Sequence, residues 1–259
     1  MPDLDVTLTD GALRLTFNRR DHGNTITPKM ADDLAELLEE VAPAADVRIV
    51  VLTGLGAQFC LGASPSLSNV PRSQAERVID ETLNGIHEGS ALPPSARITQ
   101  AITRLEKPVL AALNGPAAGL GCAIAFACDL IVADEAAHFQ LSADGGGDLP
   151  DGGLTATLSA SLGRHRAMRM ALLGDSLSAV QAYDAGLVAA VVRPEHFEPT
   201  VERIIRRISS GPASQFALTK RAVNASTLGG LKQVLTREAR ARVAVNGVIP
   251  IVSRVPEPR

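Results

Sequence analysis

Tryptophan is absent from this 259-residue chain, tyrosine occurs once, and aromatic residues make up only 3% of it. A surface that binds nucleic acid by stacking bases needs such rings. A balance of 25 basic against 28 acidic residues supplies no basic face either. Nucleic acid is therefore not an expected partner. Cysteine is also scarce. Cys60, Cys122 and Cys128 are an odd, sparse set, which argues against a disulfide framework. Neither they nor the five histidines fall at zinc-ligand spacings, so no metal is expected. No apolar run approaches the roughly 20 residues that span a bilayer. The first ten residues hold three acids and no basic cluster, so a secretory signal is not expected and a cytoplasmic location is the default.

What is present is aliphatic: 46% of the chain is hydrophobic and 20% charged, the profile of a globular protein with a large core of Leu, Val, Ile and Ala. Residues 4–17 alternate around Asp10-Gly11 and predict a hairpin. Thr27-Pro28 predicts a helix start, with Thr27 as N-cap and Met30, Leu34, Leu37 and Val41 as its apolar stripe up to Pro43. Val47 to Thr53, Val109 to Leu113 and Leu130 to Ala133 are short apolar runs that fit buried strands. Between them lie a helix marked by Ile98, Ile102 and Leu105, and a small-residue helix over 119–127. Residues 65–95 are polar and irregular, and predict helix fragments and a mobile loop. Ser178 and Gln181 have capping-box spacing. Helices are expected through much of 196–246, with Pro-rich, extended sequence after them. Strands alternating with helices indicate an α/β fold. With no repeat or linker, the reading is one domain: a core over 1–195 and a helical C-terminal region over 196–259.

Two segments that follow predicted strands carry the chemistry. One is Phe59-Cys60-Leu61-Gly62-Ala63-Ser64. The other is Asn114-Gly115-Pro116-Ala117-Ala118-Gly119-Leu120-Gly121-Cys122, which runs into a helix. Small residues let a ligand approach the backbone. A helix start presents free N–H groups and partial positive charge to an oxygen that gains negative charge. One N–H from each segment would make an oxyanion hole. Either segment alone is explained as well by turns and close packing.

These segments, together with Phe17-Asn18-Arg19, Val50 to Gly54, Lys107-Pro108-Val109, Cys128-Asp129-Leu130 and Ala185-Gly186-Leu187-Val188, resemble the enoyl-CoA hydratase/isomerase, or crotonase, family over about Leu15 to Val192. The resemblance implies a spiral of ββα units with a helical C-terminal region that assembles trimers, often paired into hexamers. It implies an acyl-CoA substrate, CoA being part of that substrate and no separate cofactor being required. It places the two oxyanion N–H groups on Ala63 and Leu120, with Leu61 and Gly119 beside them and His22 where family members touch the CoA nucleotide.

The departures are informative. The glutamates with which family hydratases activate water fall here on Ala123 and Ala143. Alanine can neither activate water nor protonate the α-carbon. Asp151, in Leu149-Pro150-Asp151-Gly152-Gly153, resembles the catalytic aspartate of several family isomerases. Shifting a double bond needs one base, an enolate stabilised by the oxyanion hole, and return of the proton elsewhere. Burial beside an apolar acyl pocket would raise its pKa and suit it to that shuttle. Asp151 could instead cap a helix starting near Gly152-Gly153. The reading carried forward is an isomerase using Asp151. A hydratase with a substitute acid such as Asp144, and a non-catalytic acyl-CoA binder, are the alternatives.

Other residues are weaker candidates. Asp148, Glu81, His87 and Glu88 read as surface or loop groups that could supply a second acid or helper. Ser64 lacks a nucleophile-elbow context. Cys122, near a helix start, reads as a packed thiol rather than an activated one. Gly119-Leu120-Gly121 superficially resembles a dinucleotide fingerprint, but Ile124 occupies the third glycine's place, so a nicotinamide cofactor is not expected. The family's usual closing segment near the CoA is not evident after Leu235, where the chain reads Arg237-Glu238-Ala239-Arg240-Ala241-Arg242.

Overall fold

The structure is a computed structural model and describes residues 3–68, 92–142 and 149–248. The N-terminal hairpin forms as the alternation predicts. Strands β1 (Leu4–Thr9) and β2 (Ala12–Phe17) pair antiparallel, with Thr9 opposite Ala12. The two turn residues, Asp10 and Gly11, both take positive φ, which matches the right-handed twist of the strands they join. From β2 the sheet continues in parallel through β3 (Ile49–Gly54), β4 (Val109–Leu113), β6 (Leu130–Asp134) and β9 (Ala190–Val192).

The central strands read as continuous apolar runs because helices cover both faces. Val50, Leu52, Val109, Ala111 and Leu113 face one core with the helices α1 (Pro28–Glu40), α3 (Pro94–Arg104) and α4 (Leu120–Ala127). A four-residue helix, α2 (Pro65–Ser68), lies between α1 and α3 in the chain. Ile49, Val51, Leu110 and Ala112 point the other way, onto Phe197, Val201 and Ile205 of α8 (Pro194–Ser209). Thr27 caps α1 by accepting the Met30 N–H at 3.1 Å. The buried stripe is Met30, Leu34 and Leu38 with Val41, while Leu37 is only partly buried, because spacings of four keep a straight helix's contacts on one side.

A second sheet is absent from the sequence reading. It holds β5 (Ala117–Ala118), β7 (His138–Gln140) and β8 (Leu177–Ser178). Two- and three-residue strands carry too little periodicity to be legible. Further on come α5 (Leu154–Leu162), α6 (Arg164–Leu173) and α7 (Ala179–Asp184), the last with the expected reciprocal box between Ser178 and Gln181. Helices α9 (Ala213–Thr227) and α10 (Leu231–Val248) follow α8. Among the described residues no helix is long and apolar enough to cross a membrane, and no cluster of metal-ligating side chains occurs.

Candidate active site

Every residue of α4 is buried. That is possible only because its surface is small: a Cβ on Gly121 would stand 2.1 Å from the Cys60 carbonyl oxygen, and one on Gly115 1.9 Å from that of Ala57. The two Gly/Ala-rich segments thus lie backbone to backbone. Phe59 and Cys60 both donate to the Pro116 carbonyl, at 3.1 and 3.3 Å, and the Ala118 N–H donates back to Cys60 at 2.9 Å.

The first segment is anchored on its other side by Ile26, whose N–H donates to Gly62 at 2.9 Å and whose carbonyl accepts from Ser64 at 2.8 Å. In this parallel bridge both bonds belong to Ile26 and the neighbours of Ala63. The Ala63 N–H therefore points away from Ile26. Leu120 is the first residue of α4, so its N–H has no intrahelical acceptor. Gly119 reaches it with φ 49° and ψ −118°, a conformation suited to glycine, while its own N–H is engaged by Gln140 at 3.0 Å. A Cβ on Gly62 would lie 3.8 Å from the Leu120 nitrogen, which shows how near the two segments come.

Ala63 and Leu120 border one cavity of about 100 Å³, together with Leu61, Gly119, Asp151 and Arg242. Leu141, Leu149 and Leu154 make further walls apolar. Of the sequence-derived site residues, the structure brings together Asp151, Ala63, Leu120, Leu61 and Gly119. His22 is not among the cavity's lining. It is exposed, in a short 3-10 turn at Arg20–His22. A larger groove of about 460 Å³ opens between α9 and the core at Phe126, Phe216 and Val223, but it includes neither Gly/Ala-rich segment.

Asp151 does not cap a helix. The N-cap of α5 is Gly153, and no side chain of its own segment satisfies the helix start. Glu238 of α10 does so instead. It accepts the Gly153 N–H at 2.6 Å, the Thr155 N–H at 2.9 Å and the Thr155 hydroxyl at 2.6 Å. Burial raises the Glu238 carboxyl above the ordinary glutamate value, against the opposing pull of these hydrogen bonds. Asp151 is left facing the cavity, 11% exposed, with the Arg242 guanidinium 3.6 Å away. Glu238 and Arg242 were not singled out in the sequence as site residues. Their spacing of four on a helix, in phase with Leu231 and Leu235, is the signal that points to them.

The model of the enoyl-CoA hydratase/isomerase family matches residues 8–246. The chain belongs to this family. It is 32% identical over 228 residues to the 1,2-epoxyphenylacetyl-CoA isomerase of Escherichia coli, covering 88% of this chain and 84% of that protein. It is 30% identical to a probable enoyl-CoA hydratase of Rhodobacter capsulatus, over 90% and 85% of the two chains. A crystal structure of an enoyl-CoA hydratase from Mycobacterium avium subsp. paratuberculosis superposes with a TM-score of 0.82 at 38% identity, covering 96% and 95%. The fold is thus the crotonase fold, and the chain is a family enzyme acting on acyl-CoA.

Within this family member, Ala123 is fully buried, and a Cβ on Gly152 would lie 3.2 Å from its methyl group. The turn that presents Asp151 therefore packs against Ala123. Ala143, Asp144, Asp148, Glu81, His87 and Glu88 lie outside the described residues. Cys122 is a packed thiol: its sulfur donates towards Ala117 and Gln140, and burial pushes its pKa up rather than down. Burial likewise pushes Cys60 up to about 12.

Proposed function

We propose that this family member is an enoyl-CoA isomerase in which Asp151 shuttles the proton and the N–H groups of Ala63 and Leu120 hold the thioester oxygen. The observation that carries this reading is one cavity lined by Ala63, Leu120 and Asp151, the one carboxylate among its described lining residues. That carboxylate is not consumed as a helix cap. With a 3-enoyl thioester, Asp151 removes a proton from C2. The electron pair delocalises into the thioester, and the oxyanion N–H groups stabilise the resulting dienolate. Asp151 then returns the proton to C4, which leaves the conjugated 2-enoyl thioester. No water is added, so the lack of a side-chain carboxylate at Ala123 is no obstacle. The relationship to a protein named 1,2-epoxyphenylacetyl-CoA isomerase agrees with isomerase chemistry on a CoA thioester.

The test is product analysis with 3-hexenoyl-CoA in heavy water. The expected product is 2-hexenoyl-CoA carrying solvent deuterium, with no hydroxyacyl-CoA. Asp151→Asn is expected to lower turnover by about 10²–10⁴-fold while leaving binding of the CoA ester intact. Wild-type turnover in that variant refutes the assignment. A hydroxyacyl product assigns hydration to another acid, and binding without any turnover makes the protein an acyl-CoA binder.

A further inference from the structure

The C-terminal helix does more than cover the core. Four of its residues, Leu231, Leu235, Glu238 and Arg242, fall at spacings of four, three and four and so share one face. That face meets the segment bearing Asp151. A Cβ on Gly153 would lie 3.0 Å from the Leu231 side chain and 2.9 Å from that of Leu235. Glu238 holds Gly153 and Thr155 by three hydrogen bonds. Arg242 reaches the Asp151 carboxylate itself at 3.6 Å. From the other side, the Thr99 hydroxyl of α3 donates to the Gly152 carbonyl at 2.5 Å. Gly152 and Gly153 both have positive φ, so the turn has little intrinsic preference for its shape and takes it from these partners.

We propose that Glu238 and Arg242 are positioning residues. Glu238 fixes the backbone on which the base is mounted, and Arg242 fixes the direction of its carboxylate. The inference rests on Asp151 being the base. Its physical content is geometric. A general base works only within hydrogen-bond reach of the carbon-bound proton, and a displacement of about 1 Å costs about 10²-fold. Glu238 suits this task because it is 7% exposed and each oxygen accepts a bond, so its carboxylate has little freedom to swing. Arg242 orients the Asp151 carboxylate through charge at 3.6 Å rather than through a short hydrogen bond.

Three substitutions separate this role from simple stabilisation. Glu238→Gln keeps an oxygen for Thr155 but sets an amide donor against the Gly153 N–H. Arg242→Gln removes the charge, and Arg242→Lys restores charge without the fork. Each is assayed with 3-hexenoyl-CoA in heavy water at a temperature where the variant is fully folded by circular dichroism. The expected result for E238Q and R242Q is a fall in kcat of about 10–100-fold with KM changed less than about threefold, and a partial recovery in R242K. A lowered melting temperature with wild-type kcat overturns the proposal and leaves these residues structural. If D151N loses turnover while E238Q and R242Q keep it, the base reading stands and the positioning inference alone fails. If D151N keeps wild-type turnover, or the wild-type protein neither isomerises the probe nor exchanges its protons, the base reading fails and takes this proposal with it.

Discussion

Gly121→Ala is the sharpest test of the proposed oxyanion hole. The added methyl would stand 2.1 Å from the Cys60 carbonyl oxygen and 3.0 Å from the Cys60 Cβ. The closest ordinary carbon–oxygen contacts are about 3.3 Å, so the segments must part by about 1.2 Å. The carbonyl that is struck also accepts the Ala118 N–H at 2.9 Å, and that bond lies along the seam between the segments bearing Ala63 and Leu120. Parting them separates the two donors that, in the proposed oxyanion hole, converge on one oxygen. Losing one such donor costs about 10²–10³-fold in kcat, or about 2.7–4 kcal/mol of transition-state stabilisation. Overpacking adds about 1–3 kcal/mol of lost folding stability, a shift of several degrees in a chain of this size. The assay is kcat with 3-hexenoyl-CoA beside a thermal melt, with Gly230→Ala as the control because its added methyl would meet nothing within 4 Å. A Gly121→Ala protein with wild-type kcat and wild-type melting would show that the backbone contact does not set the spacing of the donors.

Lys220→Met should destabilise the fold by about 3 kcal/mol at neutral pH, because the buried ammonium donates to Ile102 and Lys107 at 2.9 and 3.1 Å and pairs with Asp129 at 2.8 Å. Burial raises the Asp129 carboxyl above its ordinary value even with Lys220 opposing, so the folded state binds that proton more tightly than the unfolded state does. Stability from this group is therefore present at low pH and lost as pH rises through the folded pKa. Urea melts should show Lys220→Met recovering part of its loss as pH falls from 7 towards 5, and a deficit independent of pH would refute the account. We also propose that the chain forms the trimer or hexamer that the family resemblance implies for its helical C-terminal region, and that α6, where Leu172 and Leu173 stand 75% and 70% exposed, adds to that interface. Light scattering should give three or six times the 27.0 kDa chain mass and a smaller species for Leu172→Asp, and a monomeric wild-type protein would refute this.

The parts of the fold that were legible in the sequence are those with a strong local cause. The positive-φ pair Asp10-Gly11, the Thr27-Pro28 cap and the Ser178/Gln181 box each specify their conformation within four residues. The strands β3 and β4 were visible because burial on both faces demands unbroken apolar runs. The parallel seams Ile26–Ala63 and Cys60–Ala117 were not, since single-residue bridges leave no period to detect. Nor was the bracing role of Asn24, whose side chain donates to Leu55 and Gln58 at 3.0 and 2.8 Å and accepts from Arg19 at 3.0 Å. An asparagine in a loop is too common a turn residue to announce such a role.

Asp151 shows the same limit in the site itself. On sequence alone, an aspartate before two glycines and a helix fits an N-cap as well as a base, because both uses put it in the same turn. The deciding group lies 87 residues away: Glu238 occupies the helix start and so excludes Asp151 from capping it. A helix has few free N–H groups at its start, and once Glu238 has taken those of Gly153 and Thr155, another carboxylate there would be redundant. The C-terminal helix is thus the reason that Asp151 faces the cavity. Its run of charges after Leu235 looked like a departure from the family's closing sequence, yet in phase with Leu231 and Leu235 the acid and the arginine reach the turn that bears Asp151, the proposed base.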